Sequence, residues 1–411
     1  MNNKQNQRLL AGIRVLDLAN ETGGFCSRIL ADLGASVVKI ERPGGDASRN
    51  IGPFLHPSAR ESRVLGPQRK DPPHADDISL SFAYHNANKL GITLNLEHPC
   101  GRKIFIDLCR KSDVVVETAP PGYYDQFGIG FEAVRSENKG LVWASVTGFG
   151  QNGPRRDFKS CDLVAAALGG QMFVCGSPSA PPLKAYGEQS FFSASLFAAT
   201  GVLLALRRRR ATGLGDHIDI SLQEAVASTL EHVMVRYFHQ GVVAHRNGSR
   251  HWDDLFYILP CRDGFIQLTP FLHWDTLVAL LDGEGAAEEL TGEAWKKEDY
   301  RSENSERAIA VIGKWTATHT VDELFELGQL LRLPWAPVVS PRQVPESPQL
   351  EARGFLQGSS GCSGLPYKFS SVSMSAPAPA PQPGRDNEEI YVRDLGLSRE
   401  DFAQLSAMGV I

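Results

Sequence analysis

The sequence predicts an α/β fold built on parallel strands. In the first 50 residues a short apolar run, a glycine turn, an amphipathic stretch and a β-branched run follow one another, the order of a βαβ unit. Further continuous apolar runs return downstream, as expected of strands buried on both faces. Glycine is the third sign: 39 in 411 residues, above ordinary usage of roughly 7%, with many where strands hand over to helices.

In chain order, Arg14 to Leu18 is the first strand, Gly23-Gly24 the turn, Cys26 to Leu33 the helix and Ser36 to Ile40 the second strand. A right-handed crossover between parallel neighbours follows from that order. Gly101 to Arg110 has helical apolar spacing, whereas Asp113 to Val116 and Leu141 to Thr147 read as strands. A long helix is expected over Phe191 to Arg209, its Arg207–Arg210 run placing cations at the negative end of the helix dipole. His217 to Leu222 is a further strand candidate or a lead-in to the next helix. Composition then shifts, and FYILPCRDGFIQLT carries the hairpin signal Arg262-Asp263-Gly264. Residues 320–355 read as helical, ending in Pro-rich turns. SAPAPAPQPG at 375–384 is an extended linker, and two short helices close the chain.

Composition excludes several classes. Hydrophobic residues make up 42% and charged residues 22%, ordinary globular usage. Length alone suggests about two or three domains. A net charge of −5 lacks the basic surface that phosphate-backbone binding needs, so no nucleic-acid partner is expected. The seven cysteines form no Cys-x-x-Cys, so neither a disulfide framework nor a metal site is expected, and reduced thiols suggest a cytoplasmic protein. The start MNNKQNQRLLAG has no signal-peptide core. Phe191 to Leu206, the most apolar run, falls short of a membrane span of about 20 residues, so no membrane partner is expected.

The βαβ unit at the N-terminus invites a dinucleotide reading, with Glu41 ending the second strand. Its turn reads ANETGGFCS and supplies no Gly-x-Gly-x-x-Gly, so the close backbone approach that a pyrophosphate needs is missing. Backbone N–H groups at a helix N-terminus remain available to a different anion.

Three long stretches carry a resemblance: GIRVLDLANETGGFCSRILADLGASVVKIERPGGDASR, NANKLGITLNLEHPCGRKIFIDLCRKSDVVVETAPPGYYDQFGIGFE and VTGFGQNGPRRDFKSCDLVAAALGG. With LRRRRATGLGDHIDISLQEA, LPCRDGFIQL, LPWAPVVSPRQV and LGLSREDFAQLSAMGVI, they are similar to the family III CoA-transferases, the CaiB/BaiF family, over nearly the whole chain. The resemblance implies a Rossmann-like large domain with a smaller α/β domain inserted, and an interlocked dimer. On that pattern residues 1–224 form the first part of the large domain, 225–325 the small domain, and 326–411 the return to the large one. No cofactor is implied beyond coenzyme A, which enters as the acyl-CoA substrate.

Carried over position by position, the resemblance puts Arg42 beside the CoA nucleotide and Leu94 on its adenine side, together with the stretch from Gly122 to Phe127. Gln126 and Phe127 stand there in place of a basic residue and a methionine. Gly23 and Gly24 match the loop beneath the acyl group. Asp162 matches a position held by histidine or an acid near the active site, with a cap for the helix that follows it as the plain alternative.

The nucleophile is the departure. The family's aspartate lies ten residues before the glycine that matches Gly201, and counting back reaches Phe191. The nearby acid is Glu188, with a helix N-terminal charge as its plain reading. The chain thus resembles the Asp-lacking subunit of benzylsuccinate CoA-transferase-type heteromers. The expected activity is CoA transfer between an acyl-CoA, with succinyl-CoA as a candidate donor, and a carboxylic acid, working with an Asp-bearing homologous subunit. The alternatives are a self-sufficient homodimer using Glu188, and a family member recruited to another acyl-CoA reaction or to CoA binding alone. A racemase reading lacks both the histidine and the aspartate that it needs.

Overall fold

The computed structural model describes residues 8–55, 77–251, 255–356, 363–372 and 377–411. Cys362 and residues 375–376 of the Pro/Ala tract lie outside the described residues. Two compact units emerge. One contains the chain up to Gln171, Lys184–His239 and Ala352–Ile411, and the other contains Met172–Leu183 and Gln240–Glu351.

The larger unit is built on β1 (Arg14–Leu18), β2 (Ser36–Glu41), β3 (Leu90–Thr93), β4 (Val114–Glu117), β5 (Val142–Thr147) and β6 (His217–Ser221). They form one sheet in the order β3-β2-β1-β4-β5-β6, and every pair is parallel. Two βαβαβ halves thus meet between β1 and β4, the doubly wound arrangement. Alternation along the strands feeds two cores. Val15, Val114, Val116 and Val146 face one, and Leu16, Val38, Val115 and Trp143 face the other.

On the first face lie α1 (Gly24–Asp32) and, among the helices introduced here, the long α6 (Gln189–Thr212). The second face carries α3 (Pro99–Arg110) and α4 (Phe131–Glu137). Between them in the chain are α2 (Leu80–Asn86) and α5 (Asp162–Leu168), while α7 (Leu222–Ala227) and α8 (Glu231–Gln240) follow β6. Helix α6 has 24 residues and is the one described helix long and apolar enough to cross a membrane, so the expectation that this run falls short of a span does not hold on length. Its Ala194, Ala198, Val202 and Leu206 are buried in the first core. The small side chains let it lie close to the sheet and α1.

The C-terminal tail closes the second face. Pro381 sits where a Cβ on Gly91 would be 2.7 Å from it, Asp386 accepts a bond from Gly91 N at 2.6 Å, and Tyr391 Oη donates to Thr93 O at 2.6 Å. The edge strand β3 was not legible as a strand: it is four residues long and carries a glycine because the tail passes so near. The first of the two terminal helices is a π-helix at Glu388–Asp394, and the second is α-helical at Arg399–Ala407.

The smaller unit has an antiparallel hairpin, β7 (Phe256–Pro260) with β8 (Phe265–Leu268), turned at Arg262-Asp263-Gly264 as the sequence indicates. Its core centres on Trp274, Trp295, Trp315 and Trp335. Helix Val321–Leu330 and strand Ala336–Pro337, the latter paired with β8, belong to this unit. The return to the larger unit therefore begins at Ala352 rather than 326, because the cross-strand pairing and Trp335 anchor the intervening residues.

Candidate active site

At the junction of β1 and β4 the chain order reverses, and the carboxyl ends of the strands part to leave a crevice, the usual ligand position in open α/β sheets. A cavity of about 790 Å³ lies there, lined among others by Asn20, Arg42, Gly44, Gly45, Leu94 and Thr118. Asn20 N donates to Thr118 Oγ1 at 3.0 Å and joins the two halves across the opening. Asn20 Oδ1 then accepts from Thr22 N at 2.9 Å, shaping the turn that leads to Gly23-Gly24. Gly23 has no room for a side chain, since a Cβ would lie 2.8 Å from Thr118 Cγ2. Gly44 and Gly45, with φ of +96° and +95°, form the turn after β2 and line the cavity floor.

The predicted CoA-side residues separate. Arg42 and Leu94 both line the cavity. Arg42 is largely solvent-exposed, 3.0 Å from Glu97 Oε1, and donates to Tyr123 Oη at 3.0 Å. Leu94 is buried at the end of β3. Gly122 instead lines a neighbouring pocket of about 150 Å³ with Glu117 and His217. Gln126 is exposed, while Phe127 packs against the second core with the Arg102 guanidinium 4.9 Å from its ring centre. Neither lines the large cavity. In the smaller pocket Glu117 is pushed up to about 7, chiefly by burial.

Beneath the Gly23-Gly24 turn lies a charge network in which Asp17, Lys39 and Lys89 are buried. Lys89 Nζ is 2.6 Å from Asp17 Oδ2 and donates to Ser27 Oγ, Asn86 Oδ1 and Gly24 O at 2.9, 2.9 and 3.1 Å. Lys39 donates to Ala19 O and lies 3.2 Å from Asp46 Oδ2. The Lys39 and Lys89 ammonium groups hold Asp17 below its usual range against the opposing effect of burial, which is the largest influence on it. Lys89 is lowered to about 8, burial being the largest cause. Each ammonium thus grips a backbone carbonyl on one flank of the turn.

Glu188 is the N-cap residue of α6, half-buried, and makes no side-chain cap bond. Burial raises its pKa most, followed by the like charges of Glu21 and Asp162, while Lys184 pulls it down. Phe191 N and Phe192 N donate to Glu188 O at 3.1 and 3.2 Å. The Phe191 side chain is buried in the first core. Asp162 opens α5, whose N-cap is Cys161, and so does not cap its own helix. It caps α6 instead: Asp162 Oδ1 accepts from Ser190 N at 2.8 Å, and Lys184 Nζ lies 2.5 Å from Oδ2. Lys184 also donates to Ala185 O at 3.1 Å and to Gly187 O, which folds residues 184–188 into a short clamp. Sequence reasoning brings Glu188 and Asp162 forward, and they do share one electrostatic neighbourhood with Glu21 and Lys184.

Several residues escaped the sequence reading. The signals for Gly44-Gly45 and Lys89 were present as GGD after the second strand and as the lysine of NANKLG. Lys39, Asp17 and His85 gave none, because a charge inside an apolar run is readable as buried only once its partner is placed. Among the described residues no cluster of His, Cys, Asp and Glu has metal-binding geometry.

Residues 10–387 match CoA-transferase family III. Subunit BbsE of succinyl-CoA:(R)-benzylsuccinate CoA-transferase from Thauera aromatica is 30% identical over 97% of this chain and 97% of its own length. Formyl-CoA:oxalate CoA-transferase of Streptomyces coelicolor is 29% identical over 98% and 99%, respectively. Among solved structures, a CaiB/BaiF family protein from Brucella suis superposes with a TM-score of 0.83 at 25% identity, covering 93% of this chain and 98% of that one.

Proposed function

The chain belongs to CoA-transferase family III, and on that premise we propose that it binds acyl-CoA in the switch-point cavity and serves as the subunit lacking the nucleophilic aspartate in a hetero-oligomer. One observation carries this reading: Phe191, at the family's nucleophile position, is buried in the core and offers no carboxylate. The similarity to a protein that is itself named a subunit supports the same view. An oligomer is further supported by apolar side chains left exposed on α8 (Val235, Tyr237 and Phe238) and on α6 (Phe197 and Leu204).

In the exchange, a carboxylate oxygen of the Asp-bearing subunit attacks the thioester carbonyl. The C–S bond breaks and the CoA thiolate leaves, forming a mixed anhydride. The thiolate returns to the enzyme-side carbonyl, expels the donor acid as a carboxylate and leaves an enzyme–CoA thioester. The acceptor acid, with succinyl-CoA as a candidate donor for the first half, then reverses these steps. This chain holds CoA through the walls around Arg42, Gly44-Gly45 and Leu94, and supplies the Gly23-Gly24 turn against the acyl end.

A second reading has its own observation. Glu188 stands one helical turn before Phe191, at the α6 N-terminus, and a self-sufficient enzyme would use that carboxylate. The test is CoA exchange by the purified chain alone, and again after adding a family member that bears the aspartate. Exchange only in the mixture supports the subunit role. Exchange by the chain alone, lost in Glu188→Gln, overturns it.

A further inference from the structure

Three half-buried rings meet next to the Gly23-Gly24 turn and the start of α6. Phe25 stacks on Tyr84 with centroids 5.9 Å apart at 15°, and meets Phe192 edge-on at 4.8 Å and 65°. Tyr84 and Phe192 stand 6.0 Å apart at 64°. The rings come from three elements that converge on the candidate acyl end. Phe25 follows the glycine turn, Phe192 N is bonded to Glu188 O, and Tyr84 lies on α2, whose Phe82 lines the large cavity.

Among these rings lies the His85 imidazole, 5.6 Å from Tyr84, 5.7 Å from Phe192 and 6.4 Å from Phe25. Its side chain is buried, at 4% exposure, and its Nδ1 has no hydrogen-bond partner among the described residues. Burial takes its pKa down to about 4, so the ring is neutral at physiological pH. A buried, unpaired polar atom inside an apolar cluster costs free energy that an arriving polar group recovers. Each of the three rings is only partly buried, so apolar ring surface remains on which another aryl group can pack offset or edge-to-face.

We propose that Phe25, Tyr84 and Phe192 form an acyl-specificity pocket, that the thioester handled by this chain carries an aryl-bearing acyl group, and that a polar atom of that group meets His85 Nδ1. The inference rests on the acyl-CoA reading given above and adds the substrate class to it. Phe192 is its specificity-determining residue, and His85 positions the acyl group.

The test is calorimetric binding to the full chain of three compounds: free CoA and two stable keto-thioethers, S-(2-oxopropyl)-CoA and S-(2-oxo-3-phenylpropyl)-CoA. The phenyl analogue is expected to bind up to about tenfold more tightly than the methyl one, the factor one well-packed aromatic contact supplies. Phe192→Ala, or the milder Phe192→Leu, should remove most of that preference while affinity for free CoA is kept. His85→Leu should weaken both keto-thioethers relative to free CoA. Equal affinity for the two analogues, with CoA bound normally, would overturn this inference alone. Absence of CoA binding would overturn the acyl-CoA reading and this inference with it.

Discussion

Phe191 and Glu188 share one turn of helix at the start of α6: Phe191 N donates to Glu188 O at 3.1 Å, yet the phenyl ring is buried while the carboxylate stays half-open. The position where the family's aspartate is expected is spent on core packing. The acid that remains, Glu188, stands at the N-cap position one turn earlier without a side-chain cap bond, in the company of two other carboxylates and one lysine.

Lys184 opposes the upward shift of that acid. Burial and the like charges of Glu21 and Asp162 raise the Glu188 pKa, and Lys184 opposes them. Lys184→Met should therefore raise it further, so that Glu188 stays protonated to higher pH. Titration of the Glu188 carboxyl by NMR in both proteins checks the sign. An unchanged or lowered midpoint would count against the clamp.

Lys89 holds the glycine turn from below. Replacing it with Met leaves Asp17 buried without its closest cation, a change that typically costs about 3–5 kcal/mol. Urea denaturation of Lys89→Met should show a loss of that order. A loss under about 1 kcal/mol would mean that Lys39 alone satisfies Asp17.

Gly23→Ala tests the turn itself, because the added Cβ would lie 2.8 Å from Thr118 Cγ2. The crowding should push the turn away from β4 and weaken CoA binding several-fold, with a stability loss of about 1–3 kcal/mol. Gly44→Ala faces open space but a φ of +96°, so its penalty is conformational rather than steric. Calorimetry with CoA on both variants separates the two effects.

Glu117 gives a pH dependence of known sign. Its folded-state pKa is raised to about 7 from 4.5, so the folded protein binds the proton more tightly than the unfolded chain. The stabilisation is fully present below about pH 4.5 and is lost as pH rises through about 7. At one pKa unit per roughly 1.4 kcal/mol, the span is about 3 kcal/mol. Glu117→Gln should remove it, so the stability difference between wild type and variant should shift by that order between pH 5 and pH 8. A flat difference would place Glu117 in a more polar setting.

The sheet was legible in large part because its central strands are continuous apolar runs, and the Gly23-Gly24 turn stood out between the first two. The strand at Leu90–Thr93 was missed: its register depends on a tail nearly 300 residues later, at Asp386 and Tyr391, which no local pattern carries. In the site, Arg42 and Leu94, both carried over by resemblance, line the large cavity, whereas Gln126 and Phe127 do not, because the turn they occupy packs Phe127 into the second core. For Asp162 the plain alternative to an active-site position was a cap for the helix it begins. It caps α6 instead, a pairing set by tertiary packing. His85, Asp17 and Lys39 were silent in sequence for the same reason.

The central claim is that this chain lacks the carboxylate that forms the covalent CoA intermediate. The most direct measurement is the intact mass of the purified chain after incubation with an acyl-CoA, alone and with an Asp-bearing family member. The account predicts no covalent CoA on this chain in either mixture, and a CoA-sized gain on the partner. A CoA adduct on this chain that maps to Glu188 and disappears in Glu188→Gln would contradict it.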